Sequence, residues 1–411
     1  MALIVKKFGG SSVATPERII GVAKKVVKEK GPDDKIVVVV SAMGDTTDNL
    51  ITLAGQVSSQ IHRYSREFDR LLATGEQVSI ALLAMAFNDL GCPAVSLTGP
   101  QAGMMTNSAH VKGKIREIKP ERVLQELAVG KIVVVAGFQG INSVGDIVTL
   151  GRGGSDTSAV ALAGALQADA CEIFTDVDGV YSADPRVVPN ARRMKEITYN
   201  EMLEMARLGA VVMQPRSVEM GKQYGVPIHV RSTFTQKTGT FIREVYTMEE
   251  KEFIIRGVTH DTNVAKIAIL GVPNRPGVAF KLFSALANAN IDVDMIVQSI
   301  RSDNRDIIDI VFTVAQPDLN EAKNLVEQIG RELSVIRLEI DENVAKVSVV
   351  GAGMLGNPGI AATMFGALSD AGINIEVIST SEISISCLIQ SSQVREAVNS
   401  IHEHFFPTEE D

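Results

Sequence analysis

Thr149-Leu-Gly-Arg-Gly-Gly-Ser-Asp-Thr-Ser-Ala-Val-Ala-Leu-Ala163 joins a strand-like segment, Ile132 to Phe138, to a helix of small apolar residues running from Ala159 to Leu166. Three glycines around one arginine let a backbone approach a ligand with its amides turned inward, and a helix start adds partial positive charge. An anion fits such a corner. Arg152 can fork onto a carboxylate or a phosphate. Ser155 and Asp156 stand where a helix cap is expected. By itself the stretch also reads as a capped loop with an exposed arginine, because a glycine-rich turn is unspecific.

The N-terminus repeats the arrangement. Ala2-Leu-Ile-Val-Lys-Lys-Phe reads as a short buried strand that ends in Gly9-Gly10-Ser11-Ser12, after which Pro16 opens a helix with apolar Ile19, Val22, Val26 and Val27. Lys7 stands at the lip of this second anion corner, with Lys6 as the competing lysine. The spacing GxxxxGK[ST] is absent, so the loop is not a Walker A loop.

Lys35 to Val40 is a continuous Ile/Val run of the kind covered on both faces, and it ends in Ser41-Ala-Met-Gly-Asp-Thr-Thr. Helical patterns follow through Leu50, Leu53, Ala54 and Val57, then a more exposed helix or loop from Ile61 to Phe68. After the turn Ala73-Thr74-Gly75-Glu76 a further helix runs from Gln77 to Leu90. Strands recur at Ala94–Thr98, Ile132–Ala136, Cys171–Thr175 and Pro227–Val230, each separated by sequence able to form a helix. This alternation predicts an α/β fold with a mainly parallel sheet sandwiched by helices, whose ligands bind beyond the carboxyl ends of the strands. The polar clusters all fall at such ends.

Composition narrows the partners. At 411 residues the chain has room for two or three domains, and 45% hydrophobic with 22% charged residues is ordinary for a globular protein. A formal charge of −9 without a basic stripe argues against nucleic acid. Cys92, Cys171 and Cys387 are few, scattered and outside any CxxC, which suits a reducing compartment and no sulfur-held metal. The first residues are too short for a signal peptide, and no apolar run approaches the roughly 18 residues of a membrane span. The expectation is a cytoplasmic protein of small-molecule chemistry, with neither nucleic acid nor membrane as partner.

Thr175-Asp-Val-Asp-Gly-Val-Tyr-Ser-Ala-Asp-Pro-Arg186 is acidic but lacks the DxDxDG spacing of a calcium loop and follows a strand. An edge of a nucleotide pocket is the better reading. His62, His110, His229, His260, His402 and His404 form no HExxH, and His402 with His404 reads as solvated surface. No protein-held metal is expected.

Six motifs, Lys7-Phe-Gly-Gly-Ser-Ser, Val40-Ser-Ala-Met-Gly-Asp-Thr-Thr, Thr74-Gly-Glu, Gly137-Phe-Gln-Gly, Gly151-Arg-Gly-Gly-Ser-Asp and the 175–186 stretch, stand in one order. In that order they resemble the aspartate kinases of the amino acid kinase family, in the monofunctional, feedback-regulated bacterial form, over essentially the whole chain. The resemblance implies ATP-dependent phosphorylation of the β-carboxylate of L-aspartate to 4-phospho-L-aspartate. This is the first step toward lysine, threonine and methionine, with magnesium arriving on ATP. It also implies residue roles. Lys7, Gly9, Gly10 and Ser11 face the phosphates, and Thr175, Asp176, Tyr181 and Arg186 line the nucleotide site. Ser41, Thr47, Glu76, Arg152, Gly153, Gly154 and Ser155 hold aspartate, Glu76 meeting its ammonium and Arg152 its α-carboxylate. Lys7 and Asp156 are catalytic, Lys7 on the transferred phosphoryl group and Asp156 orienting Lys7 or the metal. Many relatives carry a lysine where Val211 stands, so that nucleotide contact is in doubt here. Other acceptors for the same fold are glutamate, N-acetylglutamate or a nucleotide. The non-enzymatic alternative is an amino-acid sensor.

The second half is a duplication. Ala265-Lys-Ile-Ala-Ile-Leu-Gly matches Ala345-Lys-Val-Ser-Val-Val-Gly, and Leu286-Ala-Asn-Ala-Asn-Ile-Asp-Val matches Leu368-Ser-Asp-Ala-Gly-Ile-Asn-Ile. Each copy reads as a ferredoxin-like βαββαβ module. Gly351-Ala-Gly-Met-Leu-Gly satisfies GxGxxG, with Glu376 downstream, yet the sister copy lacks it and Pro358 follows, which rules against a dinucleotide site. The copies resemble paired ACT domains. This gives a catalytic domain at 1–245, a linker and start of the regulatory region at 246–264 containing Glu249-Glu-Lys-Glu, and ACT domains at 265–341 and 342–411. Candidate contacts for lysine or threonine are Asn274, Gly277, Asp292, Asp294 and Gln298 in the first copy and Asn374, Ile375, Ser381 and Glu382 in the second. Asp292 also reads as a strand-edge charge. Exposed strand edges favour a homodimer through this half. Relatives of this layout can also initiate internally, near a residue such as Met248, to make a separate regulatory subunit.

Overall fold

A computed structural model of the chain describes residues 2–244, 255–300, 306–354 and 357–407. Met248, the Glu249–Glu252 run and Leu355-Gly356 of the glycine motif lie outside the described residues, as does the side chain of His62. The chain divides into two compact units. The first holds residues 1–180, 193–206 and 211–247, and the second holds 181–192, 207–210 and 248–411.

The first unit is built on an eight-stranded sheet. In spatial order its strands are Glu196–Ile197, Thr240–Ile242, Ile228–Ser232, Ala170–Thr175, Leu3–Phe8, Lys35–Val40, Ile132–Ala136 and Ala94–Leu97. All neighbours run parallel except Ile228–Ser232 with Thr240–Ile242. Lys35–Val40 forms a central strand because an unbroken Ile/Val run can be covered on both faces, and residues 36–40 are buried. Helix Pro16–Glu29 starts where Thr15 Oγ1 accepts from Arg18 N at 3.3 Å and Pro16 supplies a pre-set first position. Its Ile19, Val22 and Val26 pack with Phe8, Val38, Val40, Leu83 and Phe87 in one apolar layer.

Register aligns the strand ends. Phe8 lies opposite Val40 and Phe174, and Val40 opposite Ala136, so Gly9, Ser41, Gly137 and Thr175 emerge along one edge. A smaller mixed sheet, in the order Ile115–Ile118, Met104–Thr106, Gln139–Ile141 and Ile147–Thr149, was not expected from the helix and strand pattern. Its last hairpin intervenes between Ile132–Ala136 and the glycine loop. The expected turn at Ala73–Glu76 is also helical, since a helix runs Thr74–Asp89 directly after Ser65–Leu72. The combined stretch Ser65–Asp89 is long and apolar enough to cross a membrane, but half of its apolar window is buried and Glu76 lies within it; it is a core helix.

The second unit contains both repeats. Strands Val293–Ile300, Ile307–Ala315, Val264–Pro273 and Arg337–Asp341 form the first antiparallel sheet, backed by helices Val278–Asn288 and Leu319–Leu333. In the second sheet Val344–Val350, Val377–Thr380 and Ser384–Gln390 are joined by Gly257–Asp261, with helices Ile360–Asp370 and Val394–Phe405. Thus a strand from the expected linker region pairs with Val344–Val350 as Arg337–Asp341 pairs with Val264–Pro273. It takes the place of a sixth element after Val394–Phe405.

Candidate active site

A cavity of about 450 Å³ opens at the strand ends of the first unit. Lys7, Gly9, Gly10, Ser41, Thr47, Glu76, Arg152, Gly153, Gly154, Ser155 and Asp156 all line it. Lys7 and Arg152, far apart in sequence, therefore face one space. The wall is completed by apolar residues that sequence reasoning did not single out, among them Ile51, Phe68, Leu72 and Val111. Apolar positions carry no chemical signal in a sequence, so only the folded wall identifies them.

Strand alternation separates the two lysines. Lys7 reaches Asp156 with Nζ 2.5 Å from Oδ1, while Lys6 points to the other face and pairs with Glu29 at 2.8 Å and Glu172 at 2.6 Å. Arg231 joins that second cluster. Burial pushes the Glu172 carboxyl up, but the His229 hydrogen bond with Lys6 and Arg231 outweighs it and holds the pKa at about 2. Lys6 is thus committed to structure.

Helix Gly154–Ala165 directs its first turn at the cavity. The capping residue is Gly153, not Ser155 or Asp156, which are the second and third helical residues. Gly153 sits at φ +67° in the left-handed region, and a Cβ there would lie 1.8 Å from Gln214 Cγ. Gly10 answers a different demand: a Cβ would come 2.9 Å from the Ala42 carbonyl oxygen. First-turn amides have no intrahelical acceptor, so this helix start is disposed toward an anion.

Glu76 lies in the first turn of Thr74–Asp89 and is 2% exposed. One carboxylate oxygen accepts from Ala42 N at 3.0 Å, and the other, Oε2, is buried without a hydrogen-bond partner. Burial outweighs the backbone hydrogen bonds and pushes its pKa up to about 7. A buried carboxylate left half-satisfied beside a cavity is suited to a cationic ligand group.

The remaining expected nucleotide contacts do not line this cavity. Ser11 is exposed, with its carbonyl accepting from Arg18 Nη1 at 2.6 Å. Thr175 and Asp176 stand at the same strand edge, bonded to each other at 3.0 Å. Tyr181 and Arg186 belong to the second unit, where Arg186 pairs with Asp184 at 2.7 Å. Val211 is 80% exposed.

The expected effector residues lie along the repeats' turns and strand edges. Gly277 is the left-handed N-cap of helix Val278–Asn288, and Asn274 N donates to Asp306 O at 2.7 Å. Asp292, Gln298, Asn374 and Glu382 are exposed, and Ile375 is half-buried. Ser381 bonds Ser384 at 2.8 Å. Asp294 is engaged by Lys346 at 2.6 Å.

Among the described residues no group of three or more His, Cys, Asp and Glu side chains is placed to hold a metal. Asp48 and Asp156 are the cavity's carboxylates near the glycine loops, a donor set that fits a magnesium ion held mostly by phosphate oxygens and water.

The amino acid kinase family model matches residues 2–232, and two ACT domain models match 266–331 and 347–405. Aspartate kinase from Stutzerimonas stutzeri is 50% identical over 409 residues, covering 98% of this chain and 97% of the relative. The crystal structure of aspartate kinase from Synechocystis shares 46% identity and superposes with a TM-score of 0.55, over 100% of this chain and 70% of that one. E. coli aspartokinase III, solved with lysine and aspartate in its T-state, is 25% identical with a TM-score of 0.76, covering 98% and 99%. Identity of this extent across both halves, with the kinase and ACT models falling on the two units, places the chain in the aspartokinase family.

Proposed function

We propose that the chain transfers the γ-phosphoryl group of ATP to the β-carboxylate of L-aspartate. The observation that carries the acceptor assignment is Glu76, a carboxylate 2% exposed with one unpaired oxygen, on the same cavity wall system as Arg152. A cavity with both an anion and a guanidinium suits an acceptor bearing a free ammonium and an α-carboxylate. N-acetylglutamate has no ammonium for Glu76, and a nucleotide has no use for it.

The chemistry asks for alignment of two anions, because the β-carboxylate is already ionised at neutral pH. Arg152 grips the α-carboxylate, and Ser41, Thr47 and Ser155 complete the acceptor's hydrogen bonds. Gly9 and Gly10 admit phosphate oxygens close to backbone amides, and Gly153 and Gly154 bring the backbone of the helix start close to the acceptor. Lys7, held by Asp156, neutralises charge on the transferred group. Magnesium, when bound with the nucleotide, adds charge neutralisation. Thr175 and Asp176 are assigned to the nucleotide's edge on the grounds of their place on the strand ends.

Regulation by lysine or threonine through the second unit is supported by the two ACT matches and by the lysine-bound state of E. coli aspartokinase III. We further assign a homodimer through the ACT modules and a cytoplasmic location, the latter supported by three unpaired cysteines. An ATP-coupled assay with aspartate, glutamate, N-acetylglutamate and a nucleoside monophosphate tests the acceptor. Turnover with aspartate is expected; preference for an acceptor lacking a free ammonium overturns the assignment.

A further inference from the structure

Asp69 has no part in the chemistry above, yet it is a fully buried carboxylate one residue from the cavity wall at Phe68. It sits on helix Ser65–Leu72 and accepts three donors from elsewhere. Thr149 Oγ1 donates to Oδ1 at 2.5 Å, Val111 N to Oδ1 at 3.0 Å, and His110 Nδ1 lies 2.6 Å from Oδ2. Thr149 and Val111 both line the cavity.

Val111 has φ +68°, a conformation that a β-branched residue adopts only under compulsion. The bond from its amide to Asp69 supplies the compulsion. Gly113 N then donates to Thr149 O at 2.8 Å, and Arg216 ties the same two segments from outside, Nη1 to Leu150 O at 2.8 Å and Nη2 to Gly113 O at 2.9 Å. Segments 110–113 and 149–150 are therefore stitched together immediately before Gly151-Arg152-Gly153. Arg152 is exposed, so its placement depends on that loop.

We propose that Asp69 and Arg216 are positioning residues for the acceptor pocket. They fix the 110–113 and 149–150 segments so that Arg152 meets the acceptor's α-carboxylate. The inference rests on the aspartate-kinase reading and deepens it: the network sets affinity for the amino-acid acceptor and leaves the nucleotide's affinity alone.

Steady-state kinetics of the full chain and its Thr149→Val, Thr149→Ser and Arg216→Lys variants test this. Thr149→Val deletes the hydroxyl at constant shape. It is expected to raise KM for aspartate about tenfold, the worth of one charge-assisted hydrogen bond, while KM for ATP stays within about twofold. Thr149→Ser keeps the hydroxyl and is expected to stay within about threefold of the parent. Arg216→Lys cannot span both carbonyls and is expected to raise aspartate KM with ATP KM unchanged, which keeps the test open if Thr149→Val fails to fold. Unchanged aspartate KM in Thr149→Val and Arg216→Lys, or aspartate and ATP KM rising together with a lowered Tm, overturns the proposal by reducing the network to a structural one. A parent chain that does not phosphorylate aspartate overturns the underlying reading instead.

Discussion

At the scale of single residues, charge placement separates the side chains that act from those that support. Lys6 and Lys7 are neighbours of one type, and in the sequence only the resemblance to a family favours Lys7; the pleat sends Lys7 to Asp156 and the cavity, and Lys6 to Glu29 and Glu172. Lys7→Met is expected to lower kcat by about 10²–10³-fold, the effect of removing one donor aimed at developing charge, with circular dichroism unchanged. An equal loss in Lys6→Met and none in Lys7→Met would contradict the assignment. Glu76 makes a pH-dependent prediction. With its pKa near 7 in the free enzyme, kcat/KM for aspartate should fall as pH drops below about 7, because protonation removes the charge that meets the ammonium. Glu76→Gln should lose that limb and raise aspartate KM. Stability runs the opposite way. A carboxyl whose folded pKa is raised binds its proton more tightly in the native state, so stability declines as pH rises from about 4.5 to about 7 and stays low above it. Glu76→Gln should therefore be more stable than the parent at pH 8, by up to roughly 3 kcal/mol, and indistinguishable near pH 4; urea melts at both pH values check this. Asp69 was not legible beforehand, since an aspartate between Phe68 and Arg70 belongs to no motif and its three donors come from two distant segments.

At the scale of elements, periodicity identified the central strands and their helices, because a strand covered on both faces must be a continuous apolar run. It missed the small sheet. Strands of three or four residues such as Gln139–Ile141 and Ile147–Thr149 are too short to show a period, and their pairing depends on partners at Met104–Thr106 and Ile115–Ile118. The helix start at the heart of the site was placed correctly but capped wrongly. Ser155 and Asp156 are favourable capping types, yet Gly153 takes the cap because the chain must turn through φ +67° against Gln214. Gly153→Ala should accordingly cost about 1–3 kcal/mol in denaturant unfolding and raise aspartate KM. Retention of both at parental values would show that the loop tolerates a Cβ and is not held to this conformation. The repeats hold a second lesson. Lys266 and Lys346 occupy matching positions, as do Asp294 and Glu376, and each lysine pairs with the acid of the other copy. Duplication supplied the residues; only the folded second unit reveals that they are exchanged.

At the scale of the whole molecule, two units with separate apolar cores carry the two matched families. Calorimetry of the full chain is expected to resolve two transitions. Aspartate with nucleotide should raise one, and lysine or threonine the other, each by about 2.7 kcal/mol at a hundredfold excess over Kd. A single transition moved equally by every ligand would mean that the cores do not unfold separately. Segment 181–192 interrupts the first unit's sequence but packs with the second, Ala183 and Val188 lying in the core of the second repeat. No motif announces that allegiance: Tyr181 and Arg186 stand in the 175–186 motif, whose resemblance to aspartate kinases implies a place at the nucleotide site, while their packing is with the second unit. Sequence alone determined the parallel sheet, the duplication and the glycine corners, because backbone permissiveness and burial are properties of residue type and local spacing, and resemblance to a family pointed to Lys7, Glu76 and Arg152. Tertiary structure decided which lysine faces the cavity, that a strand at 257–261 completes the second repeat, and that Asp69 bonds His110, Val111 and Thr149. Those outcomes depend on which distant segments meet, and long-range pairing leaves no local trace in the order of the residues.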